Sequence, residues 1–110
     1  GKLTEDTYRV LKGMQDRFPG YSRYWYYLAM SAVEAEKAEV ALEACDKYEK
    51  INGDLFRDDR YTAGVAMAKV SAMMMKGQIE TNEIRRCLKI INKNKYSQLR
   101  KKFWSKRLVD

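Results

Sequence analysis

The chain has 110 residues, of which 45% are hydrophobic and 34% are charged, and its formal net charge is +7. That length suits one domain with a single hydrophobic core, and the excess of Ala, Leu, Met, Glu, Lys and Arg over Val and Thr favours helices over strands. Histidine is absent, which removes the commonest general base and metal ligand, and no glycine-rich phosphate loop or activated nucleophile is evident. The composition therefore predicts an all-α, non-catalytic domain without a cofactor, and no small-molecule substrate is evident.

The first two helices are marked by capping residues and by the single proline. Thr4 is a good N-cap for the first helix, and Phe18-Pro19-Gly20 ends it because proline disfavours helical geometry in the residue before it. Ser22 is the predicted N-cap of the second helix. The apolar stripe of that helix has the spacing i, i+3, i+4, i+7 and comprises Trp25, Leu28, Ala29 and Ala32.

The third helix is predicted from about Ala38 to Asn52, and Gly53 provides a left-handed stop. Neither glycine nor proline stands near Glu36-Lys37, so one continuous helix through the second and third segments is the alternative. A break is favoured, because a helix over residues 23–51 would leave its alanine-rich seam without a partner.

Three further helices are predicted in the second half of the chain. The fourth spans about residues 60–76, is apolar on most sides and is expected to be the most buried, and Gly77 ends it. Thr81 caps the fifth helix, the polar run at 92–95 breaks it, and Ser97 caps a sixth. Because short connections join helices into antiparallel hairpins, six helices predict three stacked hairpins.

Part of the chain resembles one tetratricopeptide repeat, in which an aromatic residue opens helix A, a Leu-Gly or Leu-Ala pair follows, and a small residue stands early in helix B. The matching residues are Trp25, Leu28, Ala29 and Ala41, with Cys45 at the family's aromatic position. The match covers about residues 22–53 and departs at Ala32, where the family usually has tyrosine, and at Gly53, where it has proline. The resemblance implies an irregular tetratricopeptide-like hairpin within a helical bundle.

Positive charge is concentrated at the C-terminal end of the chain. Residues 81–110 contain ten basic and two acidic residues, a net of +8, whereas residues 1–80 have a net of −1. Such a segment suits an acidic protein surface, a neighbouring domain of the parent chain, the phosphates of nucleic acid or an anionic membrane surface. The alternative without a functional role is a solvated helix face whose aromatic residues belong to the core.

Five aromatic residues cluster at Tyr21, Tyr24, Trp25, Tyr26 and Tyr27. They cannot share one helix face, so they divide between the core and the surface, and core packing with hydroxyls at the rim is the alternative to a binding surface. The run Met73-Met74-Met75 is interpreted as filling gaps in the core rather than as an adaptable binding surface.

The remaining motifs favour structural roles. Cys45 and Cys87 fall on apolar stripes and are interpreted as buried reduced thiols rather than as a disulfide or zinc ligands. The carboxylates of Asp54, Asp58 and Asp59 lack the spacing of a calcium loop and are expected to cap a helix or face solvent. Because no signal segment opens the chain and no apolar run approaches the ~20 residues of a membrane span, a cytoplasmic location is expected.

Two functional hypotheses follow. The first is a non-catalytic protein-interaction or structural module, expected to be a segment excised from a larger protein because the chain begins at Gly1 without an initiator methionine. The contact area of this module is assigned to Tyr24, Tyr26 and Tyr27. The charges that guide the encounter with its partner are assigned to Arg100, Lys101, Lys102, Lys106 and Arg107. The alternative is a nucleic-acid-binding helical domain. Its phosphate contacts are assigned to Arg85, Arg86, Lys89, Lys93 and Lys95.

Overall fold

The structure is a computed structural model that describes the backbone of residues 2–53 and 60–93 and the side chains of residues 4–53 and 61–93. Those residues form an all-α bundle of antiparallel helical hairpins, as the sequence predicts. The helices are α1 (Lys2–Gly13), α2 (Ser22–Glu34), α3 (Ala38–Asn52), α4 (Arg60–Lys76) and α5 (Thr81–Lys93). The described part thus has five helices where about six were predicted for the whole chain, because the sixth, predicted from Ser97, lies outside the described residues. Asp54, Asp58 and Asp59 lie outside them as well.

The predicted bounds of α1 and the start of α2 are wrong. The first helix already includes Thr4 and ends at Gly13, before the predicted stop at Phe18, because the chain passes into tight turns in which the Met14 amide bonds the Leu11 carbonyl at 3.1 Å. Ser22 is the first residue of α2, and the cap position is held by Tyr21 without a side-chain hydrogen bond. The indole Nε1 of Trp25 donates to the Pro19 carbonyl at 3.0 Å and thereby ties the connecting loop to α2.

The predicted break between α2 and α3 is confirmed. The Lys37 amide bonds the Ala32 carbonyl at 2.7 Å and the Glu36 amide bonds the Val33 carbonyl at 3.1 Å, which is the Schellman pattern that closes a helix. Glu36 takes the left-handed position with φ 59°, a place usually held by glycine. Sequence reasoning found no stop signal here for that reason.

The core lies between α2, α3 and α4, with α1 packed on α2 and α5 packed on α4. Ala29 and Ala32 of α2 and Ala41 and Ala44 of α3 are buried, and their small side chains let the two helices approach closely, as predicted. The fourth helix is buried on nearly all sides, since every residue from 62 to 68 is inaccessible. Within the described helices, none combines the length and the apolar character needed to cross a bilayer.

Polar contacts inside the bundle join its helices at defined points. The Tyr48 hydroxyl of α3 and the Thr62 hydroxyl of α4 are 3.0 Å apart in the core. The rings of Tyr26 and Tyr61 meet edge to face at 5.0 Å between centroids, which links α2 to α4. The hydroxyl contact satisfies two buried polar groups, and both contacts help to fix the register between neighbouring helices.

Candidate functional site

A cluster of four charged side chains joins α3, α4 and α5. The ammonium Nζ of Lys69 lies 2.7 Å from Glu83 Oε1 and 3.3 Å from Glu49 Oε1. The guanidinium of Arg86 lies 2.5 Å from each of the same two carboxylates, so two cations and two anions alternate. The side chain of Lys69 is only 17% exposed. The cluster is therefore a largely shielded bridge between helices, which we call the ionic bridge.

The pKa shifts of the ionic bridge follow from these contacts. Hydrogen bonds from Arg86 and then from Lys69 outweigh the opposing effect of burial and lower the pKa of Glu83 to about 2. Burial by itself would lower the pKa of Lys69, but the hydrogen bond to Glu83 and the attraction of Glu49 outweigh burial and raise it. All these shifts favour the charged forms, so the bridge is a structural element rather than an acid–base pair poised near neutral pH.

The basic residues of α5 divide into two sets. Arg86, which the sequence assigned to phosphate contacts, is held by Glu49 and Glu83 in the ionic bridge and turns toward α3. Arg85, Lys89 and Lys93 are exposed and have no ion pair within the described part of the chain. Their i, i+4, i+8 spacing places them on one face of α5, about 6 Å apart along the axis. We call these three residues the basic stripe; Lys95 lies outside the described residues.

The aromatic cluster is mostly core. Tyr24 is 4% exposed and Tyr26 is 7% exposed, so the prediction that they supply contact area does not agree with their burial. The Tyr24 hydroxyl donates to the Leu11 carbonyl, which anchors α2 to α1, and the ring of Tyr26 meets that of Tyr61 edge to face. Tyr27 is 48% exposed and keeps an accessible ring face. The structure therefore leaves Tyr27 as the contact candidate among the three.

An apolar groove of about 620 Å³ lies between α1 and α2. Val10 and Leu11 of α1 and Tyr27 and Met30 of α2 form its apolar lining. Val10 is 63% exposed, although a branched apolar side chain of this kind is usually covered. The remaining described lining residues are Asp6, Thr7, Ser31 and Glu34. We call this feature the α1–α2 groove.

One end of the groove is polar. A smaller pocket of about 230 Å³ adjoins it and is lined by Thr4, Thr7, Ser31 and Glu34. Three hydroxyl groups and one carboxylate therefore meet where α1 crosses the C-terminal end of α2. The Ser31 hydroxyl already donates to the Leu28 carbonyl at 3.1 Å, so toward the pocket it presents lone pairs only.

The cysteines show no sign of a reactive or metal-binding role. Cys45 and Cys87 are free and buried. Burial raises the pKa of both thiols, that of Cys87 to about 11, so neither is a thiolate at neutral pH. Among the residues that the structure describes, no cluster of three metal-ligating side chains occurs. The methionine run divides, because Met73 is buried whereas Met74 and Met75 are exposed.

Sequence reasoning missed the groove because its two walls belong to different helices. The signal available was weak: Val10 lies off the apolar face of α1. The residues Arg100, Lys101, Lys102, Lys106 and Arg107 lie outside the described residues. Comparison of the chain with protein-family models, with curated proteins and with solved structures finds no match.

Proposed function

We propose that this chain is a non-catalytic protein-interaction module that receives a partner in the α1–α2 groove. The observation that carries the proposal is the exposed apolar lining of the groove, above all Val10 and Tyr27. Exposed apolar side chains that line a concave surface are typical of interaction sites, and tyrosine supplies large contact area at a small cost in conformational entropy. The positive charge of the C-terminal segment would guide encounter with an acidic partner surface.

The packing order supports a tetratricopeptide-like arrangement within this proposal. Helix α2 contacts both α3 and α4, and α3 also contacts α4. In a stack of helical hairpins, each first helix contacts its own partner and the first helix of the next hairpin. The pairs α2–α3 and α4–α5 would be two such units, and α1 would be the end of a preceding one.

A paired capture experiment tests the interaction role. The immobilised full chain is compared with a Val10→Asp variant and with a Glu43→Lys variant, which alters an exposed residue of α3 that does not line the groove. Proteins retained by the wild type and by Glu43→Lys, but lost from Val10→Asp, are groove partners. The proposal fails if Val10→Asp, with unchanged circular dichroism, retains the same proteins in the same amounts.

The basic stripe favours nucleic acid binding as a second candidate function. Arg85, Lys89 and Lys93 present three exposed cations along one helix face, none of them paired with an acidic residue of the described ranges, and this arrangement suits contacts to a phosphate backbone. Arg86 is not part of this candidate surface, because the ionic bridge occupies its guanidinium. A triple Arg85→Gln, Lys89→Gln, Lys93→Gln variant is expected to reduce both affinity for DNA and the salt dependence of binding.

Binding of single-stranded and duplex DNA across a salt series is the measurement for this second function. If the stripe contacts phosphates, the slope of log K against log salt is about −0.7 or −0.9 per phosphate contact, and removal of three cations lowers its magnitude by about 2 to 3. A wild-type chain that binds neither DNA at low salt excludes this function.

A further inference from the structure

The α1–α2 groove lies beside a face of α2 that leaves Tyr27 48% exposed. From the packing order of the bundle we infer that the groove receives an amphipathic α-helix of the partner protein, antiparallel to α1 and parallel to α2. The inference rests on the proposed interaction function and adds to it the secondary structure and the direction of the bound segment. Its basis is that α2 itself fills the equivalent place beside α3 and α4.

Helices α2, α3 and α4 show how such a place is filled. Helix α2 packs against α3 and α4, which also pack against each other. The thiol of Cys45 donates to the Val65 carbonyl, and the Tyr48 hydroxyl, one turn later in α3, meets Thr62, about one turn earlier in α4. Helices α3 and α4 are therefore antiparallel. Helix α2 is antiparallel to α3 through a short connection, so it is parallel to α4.

Helices α1 and α2 repeat the α3–α4 arrangement. The Tyr24 hydroxyl in the first turn of α2 donates to the Leu11 carbonyl in the last turn of α1, whereas Ser31 near the end of α2 lines the groove with Thr7. This pair is therefore also antiparallel. A helix that packed on it as α2 packs on α3 and α4 would lie in the α1–α2 groove.

The faces of α2 and α4 that point to these two places are equivalent in sequence. Tyr27, Met30 and Glu34 of α2 line the groove. Counted from the start of each helix, the residues of α4 in the same places are Val65, Ala68 and Ala72. Those three are fully buried, and Tyr61, one turn before them, meets the ring of Tyr26, so this face of α4 is turned toward α2. On α2, by contrast, the corresponding Tyr27 and Glu34 are exposed.

The walls of the groove favour a helix over an extended segment. Both walls are helices, whose backbone amides and carbonyls are bonded internally, and their apolar side chains in the groove are Val10, Leu11, Tyr27 and Met30. An extended segment would bury its own N–H and C=O groups there without partners, whereas a helix satisfies them within itself. A helix with apolar residues at i, i+3, i+4 and i+7 also removes apolar surface of both molecules from water.

Two fluorescent peptides of about 18 residues test the inference on the full chain. Both are uncharged overall and place leucine at i, i+3, i+4 and i+7 among alanine, glutamine, lysine and glutamate. In the second peptide two alanines of the polar face are replaced by proline, which prevents a helix but leaves the leucines and the charge unchanged. Fluorescence anisotropy gives the Kd of each peptide, and far-ultraviolet circular dichroism measures the helix gained on mixing.

Val10→Asp is the groove variant, and Leu88→Asp is its matched control. Leu88 is an exposed apolar residue of α5 that does not line the groove, so both variants replace apolar surface by the same charge. We expect the helical peptide to bind the wild type and Leu88→Asp alike and to gain helix on binding. Val10→Asp is expected to raise its Kd at least about tenfold, and the proline peptide to bind the wild type at least about tenfold more weakly. Equal losses in Val10→Asp and Leu88→Asp would overturn the inference.

The direction of the bound helix is tested by cross-linking. Asp6 lies near the start of α1 and lines the groove, while Cys45 and Cys87 are buried. An Asp6→Cys variant is mixed with helical peptides that carry an activated cysteine at one end only. Because the bound helix runs antiparallel to α1, the peptide with the C-terminal cysteine is expected to cross-link faster. Faster cross-linking of the N-terminal cysteine would overturn the assigned place in the packing order.

The outcomes separate the inference from the proposed function. If both peptides bind the wild type equally without gain of helix, and Val10→Asp weakens both, the groove is an interaction site and the assigned helical form is wrong. If the wild type sediments as a dimer that Val10→Asp dissociates, the occupant is a second copy of this chain, and the assignment to a partner protein is overturned. If neither peptide binds, or if Val10→Asp changes neither Kd, the inference fails, and the capture experiment decides separately whether the groove binds a protein at all.

Discussion

Lys69 of α4 and Glu83 of α5 form an ion pair of 2.7 Å, and Glu49 of α3 shares the same ammonium group at 3.3 Å. Because Arg86 closes the cluster from the other side, each carboxylate has two cationic neighbours. This arrangement connects α3 to α5, which share no direct backbone packing. These four charges add to the apolar packing of α5 on α4, and together they hold the basic stripe in its direction.

Loss of the central lysine is expected to destabilise the fold. Lys69→Met would leave two partly buried carboxylates with one guanidinium, and we expect the free energy of unfolding to fall by about 2 kcal/mol. The matched control is Lys50→Met, which removes an exposed i, i+4 pair with Asp46 and should cost less than about 0.5 kcal/mol. Urea denaturation of both variants measures the difference. Equal costs would mean that the ionic bridge adds no more than a surface pair.

The low pKa of Glu83 predicts acid sensitivity. Since folding lowers this pKa from about 4.3 in the unfolded chain to about 2, the carboxylate stabilises the folded state above the upper value, and the contribution is lost as pH falls through that window. A Glu83→Gln variant should be less stable at neutral pH and should lose less stability between these two pH values. The control Glu43→Gln, at an exposed position, is expected to follow the wild type. Identical pH profiles for Glu83→Gln and wild type would contradict the assignment.

The two thiols are expected to be unreactive in the folded protein. Burial excludes reagents from Cys45 and Cys87 and raises the pKa of each thiol, so little thiolate exists for attack. The thiol reagent dithiobis(nitrobenzoate) should react slowly with both cysteines of the native chain and at once with those of the chain unfolded in urea. A Glu43→Cys variant provides an exposed thiol for comparison and should react immediately in the native state. Rapid native reaction of either wild-type cysteine would show that its helix opens readily.

The glycine that ends α3 is expected to resist substitution. Gly53 has φ 74°, a left-handed conformation in which a Cβ atom is strained even though no neighbouring atom lies within 4 Å of it. Gly53→Ala should therefore cost about 1 kcal/mol of stability. Gly13, at the end of α1, also has nothing within 4 Å and has no such φ, so Gly13→Ala is the matched control. Thermal unfolding measures the stability that each variant loses. A loss in Gly53→Ala without a similar loss in Gly13→Ala would show that backbone strain causes it.

Several features of the fold were predictable because their causes are local. The bounds of α3 and α4 follow from propensity and from the left-handed stops at Gly53 and Gly77, which need no knowledge of distant residues. The alanine seam of α2 and α3 was predictable from the periodicity of small residues in each helix. The predicted start of α1 at Thr4 was wrong, because capping preference is only one of several contributions to a helix boundary.

The sequence by itself determined that the chain is helical, where α3 and α4 begin and end, and that its positive charge is concentrated toward one end. Tertiary packing alone decided that Tyr24 and Tyr26 are buried while Tyr27 is exposed, and that Arg86 pairs inward while Arg85 faces solvent. The physical reason is that propensity and turn chemistry act within a few residues. Burial, ion pairing and the α1–α2 groove arise between helices, and short-range patterns carry no information about which helices meet.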